Sequence, residues 1–169
     1  MRIGVVSDSH KDIDALIYAV KKMGHIELLL HAGDMYFDAD KLAAGLKDIK
    51  LYAVAGNCDA VYEPKEQVIS IGGIKILLTH GHRLGVKWGL QRLAYAAEEK
   101  GVTAAIFGHT HIPYNRYWDD ILLFNPGSVS QPRGNSLASY GIIQVEGGNI
   151  DASIHSLTNR GHSCPQRIT

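Results

Sequence analysis

The sequence predicts an α/β fold with two β-sheets and helices on the outside. Three observations carry this. Over residues 3–54, apolar runs alternate with amphipathic segments in the order strand, helix, strand, helix, strand, which is the pattern of a parallel sheet with helical crossovers. Those strands are apolar throughout rather than alternating, so both of their faces are expected to be buried. After Pro64 the chain changes to paired apolar runs around short glycine or aspartate turns, the signature of hairpins.

Residues 3–6, Ile-Gly-Val-Val, form the first strand, ended by Ser7-Asp8-Ser9-His10. Asp12 can cap the next segment, where Ile13, Leu16, Ile17 and Val20 recur at helical spacing until Gly24. Residues 26–30 are a second buried strand, ending at His31-Ala32-Gly33-Asp34. Residues 38–46 read as a short helix. Residues 51–54 are a third strand, ending at Gly56-Asn57-Cys58-Asp59. A hairpin follows over 67–71 and 74–78, turned by Gly72-Gly73 and ended by Thr79-His80-Gly81-His82. Residues 88–100 form an amphipathic helix with Leu90, Leu93, Ala94 and Ala97 on one face, stopped by Gly101. Residues 103–107 are a strand leading into Gly108-His109-Thr110-His111. Two further hairpins are expected, at 114–118 with 121–124 and at 139–145 with 150–154. The early parallel strands would lead one sheet and the late hairpins the other. Residues 1–157 read as a single domain and 158–169 as a loose tail without periodicity.

Composition narrows the function. The chain has 169 residues, 46% hydrophobic, enough to bury a core and unlike a disordered segment. Lys+Arg 17 equals Asp+Glu 17, so no global basic field draws nucleic acid, and no nucleic-acid-binding surface is expected. Cys58 and Cys164 give neither a disulfide framework nor a thiolate zinc site. The apolar runs are too short for a signal peptide or a bilayer span, which points to a cytoplasmic protein without a membrane partner.

Nine histidines are many for this length. Several fall with acidic or amide groups at strand ends: Asp8, His10, Asp34, Asn57, His80, His109 and His111. Residues two apart in a strand project to one side, so Asp8 with His10 can reach one cation. The mixed oxygen and nitrogen inventory favours Mn, Fe, Mg, Ni or Zn in open coordination. Seven such residues at five strand ends suit two metals, which can clamp a phosphoryl group and activate water. Taken alone, each element has an ordinary explanation: Asp34 and Asn57 follow glycines and suit turns, and a single buried histidine is more often structural. In open α/β sheets, however, ligands gather beyond the strands' carboxyl ends, where all seven lie.

The ordered motifs Asp8-x-His10, Gly33-Asp34, Gly56-Asn57-x-Asp59, His80-Gly81-His82 and Gly108-His109-Thr110-His111 resemble the calcineurin-like metallophosphoesterases. Asn125-Pro126-Gly127-Ser128 resembles their small prokaryotic phosphodiesterase branch. The resemblance covers residues 1–157. It implies a four-layer αββα sandwich of two mixed sheets flanked by helices. It implies two divalent ions, with manganese foremost: one held by Asp8, His10, Asp34 and His111, the other by Asp34, Asn57, His80 and His109. Asp34 would bridge them, with a metal-bridging hydroxide attacking phosphorus in a small phosphodiester substrate. A homodimer or homotetramer is also consistent with the family.

One departure bears on catalysis. Many members carry histidine after Gly-Asn to protonate the leaving group, and here Cys58 stands in that place. A thiol is a poorer acid than imidazolium near neutral pH, so acidic leaving groups are favoured. Asp59 is expected to orient its loop or a partner of the ligands, and His82 and Arg133 are candidate substrate contacts. His25, His31, His155 and His162 receive no role. The rival functions are a monoesterase acting on small phosphates and a protein-interaction scaffold of the same fold, as in a retromer subunit that resembles this branch.

Overall fold

The computed structural model describes residues 1–46, 49–60 and 64–157, so the expected tail at 158–169 lies outside the described residues. Strands β1 (Arg2–Val6), β2 (Leu28–His31) and β3 (Lys50–Ala53) run parallel. Helices α1 (Ile13–Met23) and α2 (Tyr36–Ala43) connect them. Next come β4 (Glu66–Ile71), β5 (Ile74–Thr79), a 3-10 turn at His82–Leu84, α3 (Gln91–Glu99) and β6 (Ala104–Ile106). The chain continues through β7 (Tyr114–Trp118), β8 (Ile121–Asn125), β9 (Ser139–Glu146) and β10 (Asn149–Ser156).

The strands form two five-stranded mixed sheets, ordered β10-β9-β1-β2-β3 and β4-β5-β6-β8-β7. Ile3, Val5, Leu28 and Leu30 of the first sheet pack against Ile76, Leu78, Ile106 and Phe124 of the second. The intervening residues face outward. Val6, Leu29 and Ile142 meet Leu16 and Ala19 of α1 and Leu42 of α2, while Leu77, Ala105 and Leu123 meet Leu93, Ala94 and Ala97 of α3. The layers are therefore helix, sheet, sheet, helix. Helix α1 begins and ends where its sequence dictates: the Asp12 carboxylate accepts the Ala15 N–H at 2.8 Å, and Gly24 turns left-handed at φ 68°.

Three expectations are corrected. The last hairpin belongs to the first sheet, because β9 pairs antiparallel with β1. The second sheet is not built of hairpins alone, since β5, β6 and β8 form a parallel core. The second and third helices start elsewhere than expected: Met35, at φ 80°, sets the start of α2 at Tyr36, and Gly89, at φ 156°, separates Trp88 from α3. Among the described residues, no helix is long and apolar enough to cross a membrane.

Candidate metal centre

The loops after β1, β2, β3, β5 and β6 meet at one edge of the sandwich. Asp8 N–H donates to the Gly33 carbonyl at 2.9 Å, Gly108 N–H to that of His80 at 3.3 Å, and His109 N–H to both Asp8 oxygens at 3.2 Å. The side chains do not converge by strand alternation, which corrects the expectation for Asp8 with His10. Strand β1 ends at Val6 and β6 at Ile106. Beyond them Asp8 (φ 54°), His10 (46°), Asp34 (54°), His109 (67°) and His111 (59°) are all left-handed. Such backbone is unfavourable for side chains other than glycine and persists where surrounding bonds over-determine it. Here the Ser128 hydroxyl donates to the Asp8 carbonyl at 2.7 Å, and the Ser130 hydroxyl lies 2.9 Å from the Ser9 carbonyl and 3.1 Å from that of Asp8.

Two groups of donor atoms result. Asp8, His10, Asp34 and His111 place one ligand atom each within 4.8 Å of one another, and so do Asp34, His80 and His109. Asp34 belongs to both: its Oδ2 lies 3.8 Å from His10 Nε2 and its Oδ1 3.4 Å from His80 Nε2. Asn57 joins the second group through Oδ1, 3.3 Å from His80 Nε2.

The ring tautomers follow from the far nitrogens. His80 Nδ1 sits 2.8 Å from the Ala32 carbonyl and His111 Nδ1 2.6 Å from the Gln131 carbonyl, so both Nδ1 atoms carry hydrogen and donate. In the neutral rings, the Nε2 lone pairs then point inward at other acceptors. His111 Nε2 faces Asp8 Oδ1 at 3.3 Å and His10 Nε2 at 3.2 Å, while His80 Nε2 faces the Asp34 and Asn57 oxygens. Converging lone pairs require a cation or a proton between them, and ligating histidines are ordinarily held in this way through their other nitrogen. These residues fit a divalent metal at each position.

Burial and mutual contact shift the titrating groups of the site in both directions. Burial raises the Asp8 pKa, against the pull of His80 and His111. Burial also opposes ionisation of Asp34, but His80 and the Cys58 N–H, 3.0 Å from Oδ1, hold its carboxyl below the usual range. Burial disfavours charge on His80 too, yet its contact with Asp34 and the field of Asp8 raise it. His109 is pushed down to about 4, chiefly by burial and then by His80. Burial likewise lowers His111, with Asp8 opposing.

A sequence profile of the calcineurin-like phosphoesterase superfamily domain matches residues 1–148. The chain belongs to that superfamily. Its members are phosphoester hydrolases that use divalent metals. The chain is 35% identical over 149 residues to the probable metallophosphoesterase YsnB of Bacillus subtilis, covering 86% of this chain and 85% of that one. It is 36% identical over 115 residues to the phosphodiesterase YfcE of Escherichia coli K12, covering 61% of this chain and 58% of YfcE. A Streptococcus pneumoniae structure described as a predicted phosphoesterase superposes with a TM-score of 0.74 at 28% identity, over 91% of this chain and 97% of that one. Vps29 of Chaetomium thermophilum superposes at 0.72 and 21% identity, over 92% and 94%, a likeness of fold.

The remaining candidates of this metallophosphoesterase surround the donor groups. Asp59 touches neither group; its carboxylate accepts the Tyr36 N–H at 2.7 Å and the Gly56 N–H at 2.8 Å, tying the loop after β3 to the start of α2. Gly56 must lack a side chain, because a Cβ there would overlap Asp34 Oδ1. Cys58 is exposed, its thiol raised first by burial and then by Asp34 and Asp59. The His82 ring lies 5.4 Å from that of His80 and 6.0 Å from that of His109, outside both donor groups, with a buried Nδ1 that has no partner among the described residues. Arg133 is exposed, and its N–H donates to the His111 carbonyl at 3.2 Å.

Sequence reasoning missed the support behind the site. His31 is fully buried, its Nδ1 accepting the Gly33 N–H at 3.2 Å and its Nε2 lying 3.3 Å from Ser9 Oγ. Ser9 Oγ in turn donates to Asp38 Oδ2 at 2.7 Å, which also accepts the Lys11 N–H at 2.8 Å. The available signal was a histidine ending an otherwise wholly apolar strand, since a buried ring must find partners.

Proposed function

We propose that this chain is a dinuclear-metal-dependent phosphodiesterase. The observation that carries it is Asp34, whose two oxygens face different donor groups from one buried carboxylate. The first ion would be held by Asp8, His10, Asp34 and His111, and the second by Asp34, Asn57, His80 and His109. Bound there, the ions would lower the pKa of an attacking water and neutralise the phosphate oxygens. The chain's own part is to hold these ligands at fixed positions. Ala32 and Gln131 fix two rings, and Ser128 and Ser130 fix the Asp8 backbone.

A diester rather than a monoester substrate is supported by the similarity to YfcE, a protein named as a phosphodiesterase. Cys58 supports a preference for leaving groups that depart without a proton: it is neutral, exposed and a weak acid. Manganese is the first ion to test, since availability rather than these ligands discriminates among Mn, Fe, Ni and Zn.

The test is hydrolysis of bis(4-nitrophenyl) phosphate by manganese-loaded protein, with 4-nitrophenyl phosphate alongside and bound metal counted. Two ions per chain and a higher kcat/KM for the diester are expected. Asp34→Asn and His109→Ala should each lower activity by about 100-fold, the upper end of what losing even an outer partner of a ligand does. Absence of metal stimulation, or full activity in both variants, overturns the reading. It would leave the scaffold function, which the Vps29-like fold also permits. Faster monoester turnover would overturn the diester assignment alone.

A further inference from the structure

A cavity of about 580 Å³ opens beside the metal centre, within the range of small-molecule sites. Thr110, the residue between His109 and His111, forms part of its wall. Its apolar surface comes from Leu90, Ile112, Tyr114 and Trp88, and its cations are Lys87 and Arg133. Among the described residues, no carboxylate lines it. Trp88 is 94% exposed and Ile112 45%, so neither side chain is spent on the core, and both stand on a concave surface. Arg133 adjoins the reacting centre, its backbone N–H donating to the His111 carbonyl at 3.2 Å, and Lys87 lines the same cavity as Thr110.

An apolar, aromatic-walled cavity with two cations and no acid is complementary to a flat ring carrying negative charge. Resting on the phosphodiesterase reading, we infer that this cavity receives one arm of the substrate, and that the arm is nucleoside-like: an aromatic base, with a second anionic group directed at Lys87 and Arg133. The substrate class is therefore a nucleotide diester bearing a further phosphate, rather than a simple alkyl diester. Trp88 supplies a stacking face, and the ester phosphorus stays at the metal centre on the far side of Thr110.

Three diesters with the same nitrophenolate leaving group test this on the manganese-loaded protein: methyl 4-nitrophenyl phosphate, thymidine 5′-(4-nitrophenyl phosphate), and the latter with a 3′-phosphate. The kcat/KM should rise by about 10-fold from the methyl to the thymidine ester, the scale of one base stacked on an aromatic ring, and again with the added phosphate. Trp88→Ala should remove the first gain and Lys87→Gln the second, both leaving turnover of the methyl ester unchanged. A readout independent of turnover is quenching of Trp88 fluorescence by thymidine 3′,5′-bisphosphate in a Trp118→Phe chain, in which Trp88 is the sole tryptophan. Equal kcat/KM for all three esters, retention of both gains in the two variants, or no quenching overturns the assignment of the cavity. Failure to hydrolyse the methyl ester as well, with metal bound, instead overturns the phosphodiesterase reading beneath it.

Discussion

His31 offers a quantitative test of the polar support behind the metal centre. Its ring is fully enclosed, and burial pushes its pKa from 6.5 down to about 4, against the opposing charges of Asp38 and Asp59. In the unfolded chain the ring titrates normally. Between those two values the unfolded chain holds a proton that the folded chain does not. The contribution of neutral His31 is therefore complete above pH 6.5 and declines as pH falls toward 4. A separation of roughly 2.5 units corresponds to ~3 kcal/mol when fully expressed. Between pH ~7.5 and pH ~5, linkage gives a loss of ~2 kcal/mol from this one residue.

The assay is urea unfolding at those two pH values, with a chelator present so that metal release does not enter. His31→Asn keeps an acceptor near the Gly33 N–H and removes the titration. The variant is expected to be less stable at neutral pH, having lost the contact with Ser9, but its pH dependence should be shallower by ~2 kcal/mol. Titration of the other site histidines is common to both proteins and cancels in the difference. Parallel pH profiles would refute the argument, because they would mean that His31 accepts its proton in the folded state about as readily as in the unfolded one.

The other predictions concern the site directly. Cys58→His should extend hydrolysis to esters with basic leaving groups; an unchanged dependence of kcat on leaving-group pKa would remove the explanation from this position. Gly56→Ala should displace Asp34, since the added Cβ overlaps both its Oδ1 and its backbone nitrogen, and calorimetric titration should show metal affinity weakened by about 10-fold or more; full affinity would mean the loop after β3 yields instead. Manganese at about 100 times its dissociation constant should stabilise the protein by ~2.7 kcal/mol per site, raising Tm in the wild type and much less in Asp34→Asn. An equal rise in both would place the ion elsewhere.

The donor residues were legible because their chemistry leaves little choice of residue type. Carboxylates, an amide and imidazoles interrupt apolar strands at five places, and an apolar strand buried on both faces cannot itself carry them. The helix boundaries at Asp12 and Gly24 were legible for a similar reason: cap geometry admits few side chains. What could not be read was backbone conformation and partner choice. Asp8-x-His10 looks the same whether the backbone is extended or left-handed, and the bonds that hold it come from distant positions, Ser128 and Ser130 among them. Strand β9 is buried on both faces over residues 139–143, so that part of its sequence suits the interior of either sheet.

The placement of β9 has a functional consequence. If the last hairpin had extended the second sheet, the connection after β8 would have stayed on that side. Because β9 pairs with β1, residues 126–138 must cross from one sheet to the other, and the crossing passes over the loop that carries Asp8 and His10. This segment supplies the Ser128 and Ser130 hydroxyls to the Asp8 and Ser9 carbonyls, the Gln131 carbonyl to His111 Nδ1, and the Arg133 N–H to the His111 carbonyl. It meets the Asp8 and His111 side of the first donor group, whereas the His80 ring is held from within the sandwich by Ala32. The two donor groups are therefore supported by different parts of the chain and joined through Asp34. A perturbation of the 126–138 crossing should act first on the group containing Asp8 and reach the other through that shared carboxylate and through the His109 N–H, which donates to both Asp8 oxygens.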